Sequence, residues 1–201
     1  MAVDDLGNLF HVPAENKHTL EKLTTNKFKP DGVGVGSGAN FSNAASGAGN
    51  VLDNIKIIDG KVGGKIPVDD FKEIRKASLH NVNSDSMTLG KYTPTIEQGV
   101  ENWAKPGPDS YIKKAGGNST YFDLGSEWSN IQKKYNLTND EMFEYFNVPA
   151  LDDAVSRGKV IKFSHDPRLY PDSYLSQEWQ YLKETHGFKT LKLKGDVWIA
   201  K

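Results

Sequence analysis

The chain has 201 residues and a formal net charge of −1, with 25 lysines and arginines against 26 aspartates and glutamates. This balance speaks against a non-specific nucleic-acid binder but leaves room for a small local basic cleft. At 37% hydrophobic and 25% charged, with no cysteine, the composition is that of a folded globular chain, and it excludes disulfides, thiolate catalysis and cysteine-based zinc sites.

The length favours one substantial domain with an appendage, or two small domains. No run of about eighteen apolar residues is present, so no membrane span and no stable membrane insertion are expected. The first residues show no basic-then-apolar leader, and any export signal is expected to be encoded elsewhere.

Residues 1–65 differ in texture from the rest, holding ten of the nineteen glycines. The segment Asp31-Gly-Val-Gly-Val-Gly-Ser-Gly-Ala-Asn40 contains Gly32-x-Gly34-x-x-x-Gly38. That spacing is not a dinucleotide fingerprint, and no Gly-Lys-Ser/Thr follows for a P-loop. A loosely packed Gly/Ser/Asn segment is the expected reading. A short helix over 16–27 precedes it, and a strand from Asn54 closed by an Asp59-Gly60 turn follows.

From Pro67 a helix is predicted, with Asp69 and Asp70 in its first turn and Val68, Phe71, Ile74 and Ala77 on one side. A strand over Ser86 to Tyr92 enters a long polar loop at Gly90. The loop runs through Pro94, Gly99, Trp103 and Pro106 to Pro108. A short helix at Ser110 to Ala115 and a strand at Ser119 to Leu124 come next. Trp128, Ile131 and Tyr135 then mark a helix, and Thr138-Asn-Asp-Glu141 is a capping box for another, broken or kinked at Pro149. Gly158 stops it, and a strand at 159–164 follows. Asp172 or Ser173 caps the last helix, Gly187 ends it, and the chain closes in a β-hairpin. The order predicts an α+β or α/β domain over 66–201, with helices packed on a small mixed sheet.

The densest chemistry stands at the end of the 159–164 strand, in Phe163-Ser164-His165-Asp166-Pro167-Arg168. Pro167 prevents the strand from continuing as a central ladder. A polar tip between a strand and a helix is where open α/β sheets place their sites. His165 can take and give a proton near neutral pH, and Ser164, Asp166 and Arg168 could orient it or stabilise an anion. The same residues also suit an ordinary turn with a solvated histidine. Glu178 shares one edge of the last helix with Tyr174 and Tyr181 and could pair with His165 as acid and base, or belong to an amphipathic edge. Tyr111, Lys113, Lys114 and Lys91 could form a phosphate-binding patch, or simply be solvated. No metal site is expected, because His165 and Asp166 are adjacent and diverge. No cofactor is expected either.

The blocks Lys65-Ile-Pro-Val-Asp-Asp-Phe71, Asp85-Ser-Met-Thr-Leu-Gly-Lys-Tyr92, Asp109-Ser-Tyr-Ile-Lys-Lys-Ala115, Thr120-Tyr-Phe-Asp-Leu124, and Leu151-Asp-Asp153 through Phe163-Ser-His-Asp-Pro167 resemble a C-terminal effector domain of bacterial polymorphic toxins. These include CdiA-like contact-dependent inhibition proteins and Rhs, LXG and MafB-like toxins. The Val-Glu-Asn-Asn marker that opens such regions is absent, echoed only by Gly99-Val-Glu-Asn-Trp103. The resemblance implies a toxic domain carried by a larger exported protein and acting in the cytoplasm of the target bacterium. Residues 1–65 would be the linker or the segment that takes the toxin into that cell, and a cognate immunity protein would neutralise the domain. It also implies a metal-independent ribonuclease acting on tRNA, in some cases with a host cytosolic activating factor. The expected roles are His165 as general acid/base, Glu178, Tyr111 and Arg168 assisting, and Lys91, Lys114, Ser164 and Asp166 at the substrate. The alternative is an NAD-consuming or ADP-ribosylating toxin, with Trp103 and Tyr121 around a nicotinamide. A non-enzymatic binding module with a structural His165 is the third reading.

Overall fold

The computed structural model describes residues 55–201 together with two short paired strands, β1 (Ala2–Val3) and β2 (Leu9–Phe10). The Gly-rich loop at 31–40 and the helix expected over 16–27 lie outside the described residues.

The Asp59-Gly60 turn does close a hairpin. Both residues take positive φ, and β3 (Ile57–Ile58) and β4 (Lys61–Val62) pair across them. β5 (Ile66–Pro67) adds a third strand. Val62 and Ile66 are both fully buried in one core with Phe71 and Phe146, so the ribbon on either side of residue 65 packs against the main body. Pro67 then supplies a fixed φ just ahead of α1 (Val68–Ser78), whose Phe71 ring lies 5.5 Å from that of Phe146.

The largest sheet has the order β12-β13-β11-β7. At one end of it, β7 (Ser86–Leu89) and β11 (Val160–Phe163) are parallel, in register from Ser86↔Val160 to Phe163↔Leu89. β13 (Val197–Ala200) runs antiparallel to β11, and β12 (Leu191–Lys194) completes the C-terminal hairpin at the edge. All four residues of β7 are buried, as both faces of a parallel strand usually are. Met87 and Leu89 enter the core, while Ser86 and Thr88 bond Ser119 Oγ at 3.0 and 2.8 Å. Thr120 bridges to Met87 on the other side of β7.

Two elements differ from the sequence reading. The expected loop after Gly90 is largely a twisted hairpin of β8 (Pro94–Glu97) and β9 (Val100–Pro106), turning at Gln98-Gly99 with φ of 52° and 80°. The strand expected at 119–124 shrinks to β10 (Tyr121–Phe122), which pairs with β6 (Leu79–His80) in a separate small ladder.

The helical elements follow the sequence more closely. α2 (Tyr111–Ala115) and α3 (Glu127–Tyr135) form where the spacing placed them. The capping box at Thr138 is complete and opens α4 (Asn139–Met142). A π-turn at Phe143–Asn147 then joins α4 to α5 (Val148–Ser156). Pro149 has no N–H to offer and its ring crowds the preceding turn, so the widened turn ahead of it accommodates the break. α6 (Tyr174–His186) is capped by Ser173 and ended by Gly187 at φ 72°. Trp179 of α6 meets Phe163 of β11 edge-on at 6.1 Å, fixing the helix against the sheet. No described helix is long and apolar enough to cross a membrane.

Candidate active site

Because β7 and β11 are parallel, their carboxyl ends open at the same edge of the sheet. Ser164 N–H donates to the Leu89 carbonyl at 2.8 Å and extends the ladder by one residue. The chains then diverge, β7 into Gly90-Lys91 and β11 into His165. A Cβ at Gly90 would collide with Ser164 Oγ and Tyr111 Cβ. Only glycine allows the two strand ends and α2 to approach so closely.

Ser164 is buried, and its hydroxyl lies 2.8 Å from His165 Nδ1. When Nδ1 carries the proton and donates to Oγ, Nε2 remains an acceptor. Tyr170 sets its ring edge-on to the imidazole at 5.9 Å, and Lys91 Nζ lies 5.1 Å from the centre of the Tyr170 ring. Lys114 Nζ donates to the Ser164 and Asp196 carbonyls, both at 3.1 Å. The cation is thereby tied to β11 and to the turn of the terminal hairpin. Asp109 approaches Lys114 at 4.0 Å.

These surroundings determine the charge of His165. Burial and then the ammonium groups of Lys114 and Lys91 hold its pKa below the ordinary 6.5, with Asp109 opposing. At neutral pH the imidazole is therefore uncharged and able to accept a proton, with two cations nearby to meet an anion.

Asp166 and Arg168 form a unit of their own. Asp166 accepts from Arg168 Nε at 2.8 Å and from Nη2 at 2.6 Å, and caps the 3-10 turn Pro167–Leu169 through the Arg168 N–H. The Arg168 bonds hold the carboxylate below its usual range. Arg168 also lies 5.0 Å from the Trp198 ring, so its guanidinium is already engaged.

Two expected partners are placed elsewhere by their hydrogen bonds. Glu178 is 4% exposed within the helical core, where Asn147 donates to its Oε1 at 3.1 Å. Burial pushes its carboxyl up to about 8, so at neutral pH it is a neutral acid facing an amide. Tyr111 is buried with its hydroxyl donated to the Phe122 carbonyl at 2.8 Å; it supports α2 and thus Lys114. The aromatic residues expected around a nicotinamide stand in separate stacks, Trp103 with Tyr92 and Tyr121 with His80. His186 bonds Asp152, which also accepts from Tyr181, in the packing of α5 against α6.

Sequence reading overlooked Gly90 as a packing requirement, Tyr170 as the ring beside His165, Asp109, and the Asp196 carbonyl. Gly90 closing a buried strand was a usable signal, and so was an aromatic five residues after His165. Among the described residues no three His, Asp or Glu side chains converge as a metal-ion cluster. Compared with protein-family models, curated proteins and solved structures, the chain matches none.

Proposed function

We propose that this chain is a toxin effector that cleaves RNA, with tRNA as its substrate, and that a cognate immunity protein neutralises it. The observation that carries the reading is His165, neutral beside Lys91 and Lys114 at the open end of a parallel strand pair. Such a group can begin in-line attack without a metal.

In this mechanism His165 Nε2 takes the proton of a ribose 2′-hydroxyl, and the 2′-oxygen attacks the adjacent phosphorus. The bond to the 5′-oxygen breaks, leaving a 2′,3′-cyclic phosphate and a 5′-hydroxyl. Lys114 and Lys91 stabilise the extra negative charge on the phosphoryl oxygens as it develops, and the Lys91 ammonium supplies the leaving oxygen with its proton. Ser164 fixes the imidazole by its bond to Nδ1. Glu178 and Tyr111 act through the packing that holds α6 and α2. The near-neutral net charge of the chain suits a local cationic site, and placement of the tRNA by a host cytosolic factor would add to it.

The test is a tRNA gel from bacteria expressing the full chain, wild type beside His165→Ala. Discrete tRNA fragments in the wild type that disappear in the variant are expected. Fragments that persist in the variant would retain the nuclease and remove His165 from its site. Intact tRNA with falling NAD⁺ in dying cells would select the NAD-consuming alternative.

A further inference from the structure

Next to the His165 cluster lies an opening of about 590 Å³ that no step above uses. The 3-10 turn Pro167–Leu169, the middle of α6 and the segment leading into β12 form its walls. Three cations line it, Arg168, Lys183 and Lys189, and no carboxylate does. In a chain of net charge −1 this is a marked local excess. Arg168 is engaged by Asp166. Lys183 and Lys189 are exposed and form no ion pair among the described residues. Lys183 Nζ lies 5.7 Å from the ring centre of Trp179, a core residue at the floor of the groove that is only 7% exposed.

We propose that this groove holds the stretch of single-stranded RNA flanking the cleaved phosphate, with Lys183 and Lys189 on its phosphates. The inference rests on the ribonuclease reading above. A groove lined by cations and free of carboxylates suits a single strand, which carries a charge to neutralise at every phosphate. Position favours the same occupant. Arg168 in the groove wall is three residues from His165, a reach of at most about 10 Å even in extended chain. A strand held at His165 is thus within a nucleotide or two of the groove wall. An acidic protein would satisfy the lysines but gives no reason for this adjacency.

The test is binding of a 2′-O-methyl oligoribonucleotide, which presents bases and phosphates but no attacking hydroxyl, to the full chain across a salt series. Wild type is compared with a Lys183→Gln, Lys189→Gln double variant, and thermal melts verify that both are folded. The variant is expected to bind about tenfold more weakly. Its plot of log affinity against log salt should be shallower by about 1.4, or about 0.7 for each lost phosphate contact on a single strand. Equal affinity and slope in the two proteins would overturn the proposal. Polyglutamate binding more tightly than the oligonucleotide, with the same lysine dependence, would also overturn it, in favour of an acidic protein partner. Lysine-dependent oligonucleotide binding by a wild type that leaves tRNA intact in cells would support the groove and remove the ribonuclease. His165-dependent cleavage with lysine-independent binding would do the reverse.

Discussion

At the scale of single residues, half-buried His165 and buried Glu178 are shifted in opposite senses. His165 is held below 6.5, first by burial and then by Lys114 and Lys91. Unfolded, the imidazole gains its proton as pH falls through 6.5; folded, it resists until lower pH. The folded state thus binds fewer protons in that window, and stability is lost as pH falls from 6.5 toward the folded pKa. Replacing Lys114 with methionine removes one of the two cations, so the His165 midpoint in an NMR titration should rise; an unchanged midpoint would show that the Lys114 charge does not govern it. Glu178 has the contrary sign. Its carboxyl is pushed up to about 8 by burial, so the folded state keeps a proton that the unfolded chain releases above the ordinary 4.5. Stability then declines as pH rises from about 4.5 toward 8, by on the order of 2–3 kcal/mol between pH 5 and 7. Glu178→Gln keeps a neutral partner for Asn147 and should flatten this decline in urea-denaturation midpoints measured at the two pH values. A decline as steep in the variant would place the titrating group elsewhere.

At the scale of elements, the site depends on how closely two strand ends can approach. Gly90→Ala forces its methyl against Ser164 and Tyr111, an overpacking that costs about 1–3 kcal/mol. It should also displace the Ser164 hydroxyl from His165, so the variant should lose tRNA cleavage even where it remains folded. Thr138→Ala removes the cap of α4 far from that chemistry; it should lower stability by about 1 kcal/mol in denaturation and leave cleavage intact. Such local devices were legible in the sequence because they are written in adjacent residues: the Thr138–Glu141 box, the Ser173 cap, the Gly187 stop, the terminal hairpin. The β8–β9 hairpin was not legible. Its strands are largely exposed and begin or end in proline, so no apolar alternation marks them. The pairing rests on backbone bonds and on the left-handed Gln98-Gly99 turn. The π-turn was legible only as a break at Pro149, since nothing in the residue order says how a helix will absorb a missing N–H.

At the scale of the whole molecule, the sequence singled out His165 together with Ser164, Lys91 and Lys114, but not Tyr170 or the contacts that gather them. Proximity along the chain suggested Asp166 and Arg168, which bond each other. A shared helix edge suggested Glu178, which the core absorbs. The groups that do surround the imidazole, Lys91, Lys114 and Tyr170, are gathered by the parallel pairing of β7 with β11 and by the Asp196 turn. Long-range pairing of that kind leaves no periodic trace in sequence. Removing residues 189–201 takes away β12, β13 and the Asp196 carbonyl and leaves β11 as a bare edge. The shortened chain should lose its cooperative thermal transition; a sharp transition retained would make the terminal hairpin dispensable. The same topology sets a schedule for synthesis. β7 and β11 are separated by some seventy residues, which a ribosome adds in roughly 4–15 s. The carbonyl that anchors Lys114, that of Asp196, comes later still, more than thirty residues beyond β11. A nascent chain therefore carries its histidine well before it carries the turn that ties Lys114 in place.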